Sequence, residues 1–195
     1  MSGKRCLTEG KTRSSKTVIV VTDGDKKAER AIRIAASRLG MYVVSCSAGA
    51  PTHAMVDEVE QEINRAESDV VVVMADDGGK VGEGAGETLV RMLNEHGLVS
   101  AAVAAASNTP GVKKVIVLES ITDKGRRTKQ AVNKLGRRQK GKALAGDTAE
   151  GLADLQLPVI GIGDPGKLES DRKGALVMEK ALREALEAVR RKREG

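Results

Sequence analysis

Five aliphatic runs without a polar face dictate what this chain can fold into. They are Thr17-Val18-Ile19-Val20-Val21-Thr22, Met41–Cys46, Val70-Val71-Val72-Val73-Met74, Leu98–Ala106 and Leu157–Ile162. A strand that is apolar on both sides must be covered on both sides, as in the interior of a parallel sheet. Between the runs the apolar residues recur with helical period. Ala28, Ala31, Ile32, Ala35, Ala36 and Leu39 form one stripe, and Met55, Val59, Ile63 and Ala66 a second. Leu89, Met92 and Leu93 mark a third, and Met178, Leu182, Ala185, Leu186 and Val189 a fourth. Gly40 stops the first helix. Ser170 or Asp171 caps the last, which ends in Arg190-Arg191-Lys192-Arg193. Alternating strands and helices imply right-handed crossovers. The expected fold is therefore α/β, a three-layer sandwich around an open, mostly parallel, Rossmann-like doubly wound sheet.

The 195 residues suit one domain. Residues 1–16 are polar and aperiodic and read as a flexible tail, leaving 17–195 as a single α/β domain. Tyr42 is the only aromatic residue, so the core is aliphatic. Cys6 and Cys46 have neither disulfide-framework nor metal-ligand spacing, which predicts a reducing, intracellular setting. No apolar run reaches membrane-span length, so a soluble protein is expected. Charge is unevenly distributed. Residues 17–112 net −6, whereas residues 113–142 net +9. The segment containing ITDKGRRTKQAVNKLGRRQKGK is too charged and glycine-broken for a packed helix, and it reads as a basic excursion from the domain.

Ligands of open parallel sheets bind beyond the carboxyl ends of the strands. The residues that follow each strand here are Asp23 and Asp25; Thr52; Asp76, Asp77 and Glu83; Ser107 and Asn108; and Asp164 and Lys167. Carboxylates brought together repel, and they persist only if protonated, paired with Lys, used as helix caps or bound to a cation. Two readings stand. In one, these residues serve helix entries. In the other, Asp23, Asp25, Asp76 and Asp77 hold a hard divalent cation, Ca or Mg.

The loop Met74–Glu87, MADDGGKVGEGAGE, is glycine-rich like a phosphate cradle yet carries four carboxylates and one lysine. Its glycines, Gly78, Gly79, Gly82, Gly84 and Gly86, are expected to serve backbone geometry, through positive φ or close approach. Gly161–Lys167 satisfies GxxxxGK but places Leu168 where Ser or Thr would meet magnesium, and Pro165 removes an amide. His53 and His96 complete no catalytic triad order, so no catalytic residue is assigned.

Six blocks, in this order, carry a family resemblance: VTDGD at Val21–Asp25, SAGAPT at Ser47–Thr52, DDGGKVGEGAGE at Asp76–Glu87, ASNT at Ala106–Thr109, GDT at Gly146–Thr148 and LPVIGIGDPGK at Leu157–Lys167. Together they resemble the soluble stage V sporulation protein AE, the AEa type of the SpoVA group of spore-forming bacteria. The resemblance runs from about Val18 into the last helix, and the 113–142 segment matches it least. It implies a part in moving calcium-dipicolinate during sporulation and germination. It also implies other SpoVA-group proteins as partners and a place at the periphery of the spore inner membrane. It supplies no catalytic residues.

The function expected is a non-enzymatic accessory of that machinery, with Arg126, Arg127, Arg137 and Arg138 as a basic surface for an anionic membrane. A Mg- or Ca-dependent enzyme, such as a hydrolase, using the strand-end carboxylates is the alternative. Nucleic acid is not an expected partner, because apart from Tyr42 no aromatic side chain exists to stack bases.

Overall fold

Four of the aliphatic runs become the centre of a seven-stranded sheet, whereas the Met41–Cys46 run, expected to be covered on both sides, supplies an edge strand whose Tyr42 is exposed. The computed structural model describes residues 16–23, 25–44, 56–76, 84–108, 111–146, 148–168 and 170–195. In chain order the elements are β1 (Thr17–Val21), α1 (Lys26–Arg38), β2 (Tyr42–Val44), α2 (Val56–Arg65), β3 (Val70–Met74), α3 (Ala85–Glu95), β4 (Val99–Ala105), β5 (Lys114–Ile116), β6 (Glu119–Ile121), β7 (Arg127–Thr128), β8 (Ala143–Ala145), β9 (Val159–Ile162) and α4 (Asp171–Glu194). Short 3-10 turns at Thr148–Leu152 and Pro165–Lys167 flank β9. The strand order is β2-β3-β1-β4-β9-β6-β7, parallel except for the β6–β7 hairpin. β5 and β8 form a separate antiparallel pair.

Pleating divides each strand between two cores. Val18, Val20, Val71, Val73, Ala102 and Ala104 face Val59 and Ile63 of α2 and Leu89, Val90 and Leu93 of α3. Ile19, Val21, Val72, Met74, Ala101 and Val103 face Ile32 of α1 and Met178, Leu182 and Val189 of α4. Fully burying one such aliphatic side chain stabilises by roughly 1.5–3 kcal/mol, which is why uniformly apolar runs occupy the middle layer. Helix ends follow the sequence as well. Asp25 caps α1, and Ser170 Oγ accepts from Lys173 N–H at 3.3 Å at the start of α4. Among the described residues no helix is long and apolar enough to cross a membrane.

The basic segment departs from the βα rhythm as its charge pattern predicts, but it does not protrude. β6 lies parallel beside β9, with Glu119 opposite Ile160 and Ile121 opposite Ile162, and β7 becomes the sheet edge. Val115, Val117, Ala131, Val132 and Leu144 from the same stretch are buried in the α2/α3-side core. Its apolar residues are few but correctly spaced, so the charges line the outside of an integrated structure.

Candidate functional site

Within the sheet the chain leaves β1 toward β2 and leaves β4 toward β6, in opposite directions along the strand order, so a crevice opens beyond their carboxyl ends. Backbone pairing carries the strand ends into register there. Thr22 N–H donates to Val103 C=O at 3.0 Å, Ala75 N–H to Val21 C=O at 2.9 Å and Ala106 N–H to Ile162 C=O at 2.9 Å. The buried Thr22 Oγ1 accepts from Ala105 N–H at 3.2 Å. The result is a cavity of about 100 Å³ lined by Thr22, Asp23, Asp76, Ser107, Thr148, Asp164 and Lys134, with Ala105 and Ala106. Ligand pockets for drug-sized molecules run to roughly 300–1,000 Å³. As lined by the described residues, this one has room for water or a small ion.

Three of the four ways of keeping carboxylates together operate here. Asp25 is a helix cap: its Oδ1 accepts from Lys27 N–H at 2.8 Å and Ala28 N–H at 2.7 Å. Asp164 caps the 3-10 turn, accepting from Gly166 N–H at 2.9 Å, and its Oδ2 lies 3.6 Å from Lys134 Nζ. Asp23 is shifted toward the protonated form. Burial pushes its carboxyl well above the ordinary value of 3.8, and Asp164, Asp25 and Asp76 add to the shift against a hydrogen bond from Asp25 N–H. The groups are close. A Cβ built on Gly166 would lie 2.8 Å from Asp25 Oδ2 and 3.2 Å from Asp164 Oδ1.

For the divalent-cation reading, Asp23, Asp25 and Asp76 do meet at one sheet edge, while Asp77 lies outside the described residues. Among the described residues no three His, Cys, Asp or Glu side chains are grouped to share a metal ion. Thr52 and Glu83 also lie outside the described residues. Ser107 lines the cavity, whereas Asn108 and Lys167 are exposed. In the GxxxxGK stretch the Gly166 amide is already engaged by Asp164.

Of the glycine-rich loop, Gly78, Gly79 and Gly82 lie outside the described residues. Gly84 and Gly86 have ordinary negative φ, so of the two expected uses of glycine, positive φ does not apply to them. Gly84 is the extended N-cap of α3 at φ −94°, and Gly86 is buried in the first turn of that helix. Glu87 Oε2 accepts from Gly84 N–H at 2.9 Å, so one of the loop's carboxylates is a helix-entry device.

Lys134 and Thr148 are cavity residues that listing strand ends misses. Lys134 arrives on a hairpin turn of the basic segment. Asn133 Oδ1 accepts from Leu135 N–H and Arg137 N–H, both at 3.0 Å, and Gly136 takes φ +72°. A second turn, Thr122–Arg126, is built alike: Thr122 Oγ1 accepts from Arg126 N–H at 3.1 Å, and Gly125 takes φ +66°. Asp123 N–H donates to Gly136 C=O at 2.9 Å and joins the two turns. Between them opens a cleft of about 480 Å³ lined by Lys124, Arg126, Arg127, Arg137 and Arg138, with Thr122, Asp123 and Gly136.

The four arginines expected to act alike do not. Arg127 Nε lies 3.1 Å from Glu119 Oε2, and its Nη1 3.1 Å from both carboxylate oxygens of Glu184. Glu119 is buried, with Oε1 lacking a hydrogen-bond partner, and Arg191 Nη2 approaches that oxygen to 3.9 Å. Burial and the neighbouring Glu184 raise the Glu119 carboxyl, opposed by Arg127 and Arg191. Arg127 is thus a structural ion-pair partner. Arg126, Arg137 and Arg138 have no acidic partner among the described residues.

The family model for stage V sporulation protein AE1 matches residues 17–189, nearly the whole described domain. No curated protein and no solved structure shows significant similarity to the chain.

Proposed function

Since the chain belongs to the stage V sporulation protein AE1 family and so has a role in sporulation, we propose that it is a non-enzymatic accessory of the SpoVA machinery, acting in calcium-dipicolinate movement from an anionic membrane surface. Other SpoVA-group proteins are its partners in this reading, and the periphery of the spore inner membrane is its place. The observation that carries the surface contact is the Asn133–Gly136 turn. Leu135 stands 49% exposed at its tip, with Lys134 before it and the unpaired Arg137 and Arg138 just after it. An apolar tip ringed by cations suits a headgroup layer, where each basic residue near the surface adds about 1 kcal/mol.

Co-sedimentation with lipid vesicles tests the surface contact. Pelleting should require anionic lipid and fade as salt rises, because the screening length is about 8 Å at physiological ionic strength. Replacing Arg126, Arg137 and Arg138 by Ala should abolish it. Equal pelleting with neutral and anionic vesicles, or none with either, overturns surface docking. Spores lacking the chain supply the test of transport: unchanged calcium-dipicolinate uptake and release would remove the accessory role.

A further inference from the structure

The cleft between the two basic turns is more selective in construction than a charged surface needs to be. Its floor is fixed by the backbone. Gly125 and Gly136 are buried at positive φ, and a Cβ on Gly136 would lie 2.7 Å from Asp123 N. The turns are closed by side-chain acceptors, Thr122 Oγ1 and Asn133 Oδ1, which also satisfy the Arg126 and Arg137 amides. Ordered backbone therefore carries Lys124, Arg126, Arg137 and Arg138 around one concavity, with Asp123 the only carboxylate in its wall among the described residues. The fifth cation, Arg127, is already balanced by Glu119 and Glu184. Four cations carried on fixed turns around one carboxylate repel one another, and the concavity they share is complementary to an anion with more than one charge.

We propose that this cleft is a binding site for a phosphate-bearing anion with two or more negative charges, such as a phosphomonoester or a pyrophosphate group. Guanidinium forks match phosphate oxygens in pairs, and three of the four free cations are arginines. The cleft volume lies within the range of small-molecule sites. Recognition is by charge and shape, since the wall contains no aromatic ring against which a base could stack. The site rests on the membrane reading above only where the phosphate is carried by a lipid.

The decisive measurement is calorimetric titration of the full chain with inorganic pyrophosphate at low salt. Saturable one-to-one binding is expected. Arg126→Ala with Arg137→Ala should weaken it at least tenfold, while Lys140→Ala with Lys142→Ala, an equal loss of charge outside the cleft wall, should change it less than threefold. Arg126→Lys with Arg137→Lys keeps the charge without the forks and should recover part of the affinity. No saturable binding, or equal losses in the two alanine pairs, overturns the site even if vesicles still pellet the protein. Displacement of bound pyrophosphate by phosphatidate vesicles but not by phosphatidylglycerol vesicles identifies a lipid phosphomonoester as the ligand. Retention of pyrophosphate against both identifies a soluble one, and pyrophosphate binding without any vesicle pelleting keeps the site while removing the docking.

Discussion

Lys134 is joined to Asp164 twice: its Nζ lies 3.6 Å from Oδ2, and its carbonyl accepts the Asp164 N–H at 2.9 Å. The most basic segment of the chain is thereby fastened to the most acidic edge of the sheet. Acidic body and basic excursion are two sides of one structure.

Replacing Lys134 by Met should cost about 1–2 kcal/mol at pH 7, because a partly buried carboxylate loses its cation beside three others. Urea unfolding of the variant and the parent at pH 7 measures the loss. Asp164→Asn should be milder, since an amide oxygen can still cap Gly166 and the repulsion with Asp23 disappears.

Asp23 carries a dependence on pH. With its folded pKa raised above the ordinary 3.8, the group binds protons more tightly folded than unfolded. It therefore costs stability as pH rises through 3.8 toward the folded value, and the cost persists above that. Asp23→Asn should be more stable than the parent at pH 7 and lose that advantage below about pH 4, seen in urea midpoints across pH. An advantage that grows on acidification would contradict the burial of this carboxyl.

Gly136 and Gly141 separate conformational strain from crowding. Both have positive φ, +72° and +80°, but a Cβ at Gly141 meets nothing within 4 Å. Gly141→Ala should cost about 1 kcal/mol for the left-handed backbone alone. Gly136→Ala should cost roughly 2–4 kcal/mol, since the methyl also drives into the Asp123 backbone. Thermal or urea unfolding gives both values.

Arg127→Ala should lower the unfolding midpoint, leaving the buried Glu119 facing Glu184 with Arg191 alone in support. Arg126→Ala, one residue away, should leave the midpoint unchanged and weaken anion binding. Adding Glu119→Gln to Arg127→Ala should restore part of the stability, because the amide has no charge to strand.

The sheet was legible because aliphatic runs such as Val70–Met74 have only one stable environment, and Asp25 and Ser170 announced their caps by residue type. The convergence of Asp23, Asp76 and Asp164 followed from strand-end geometry. Lys134 did not, since its arrival depends on β6 pairing with β9 across long sequence separation. Periodicity cannot register a three-residue strand, Glu119-Ser120-Ile121, whose first residue is charged. For the same reason the Glu119–Arg127–Glu184 cluster was invisible and Arg127 was grouped with its surface neighbours. Gly84 serves as the extended N-cap of α3, a position that tolerates glycine without demanding it.

The position of β9 between β4 and β6 bears on how the chain is made. β4 has β1 on one side, and its other edge pairs only with β9, which is followed by α4 and the end of the matched domain. During synthesis the first half can assemble β1, β3 and β4 while Val99–Ala105 keeps an apolar edge unpaired until Val159–Ile162 emerges. β6 waits for the same strand. Late, non-local parallel pairing is slow to nucleate, so a nascent chain halted before Val159 exposes two open edges at once, and the interval before β9 arrives is when this protein is most exposed to aggregation.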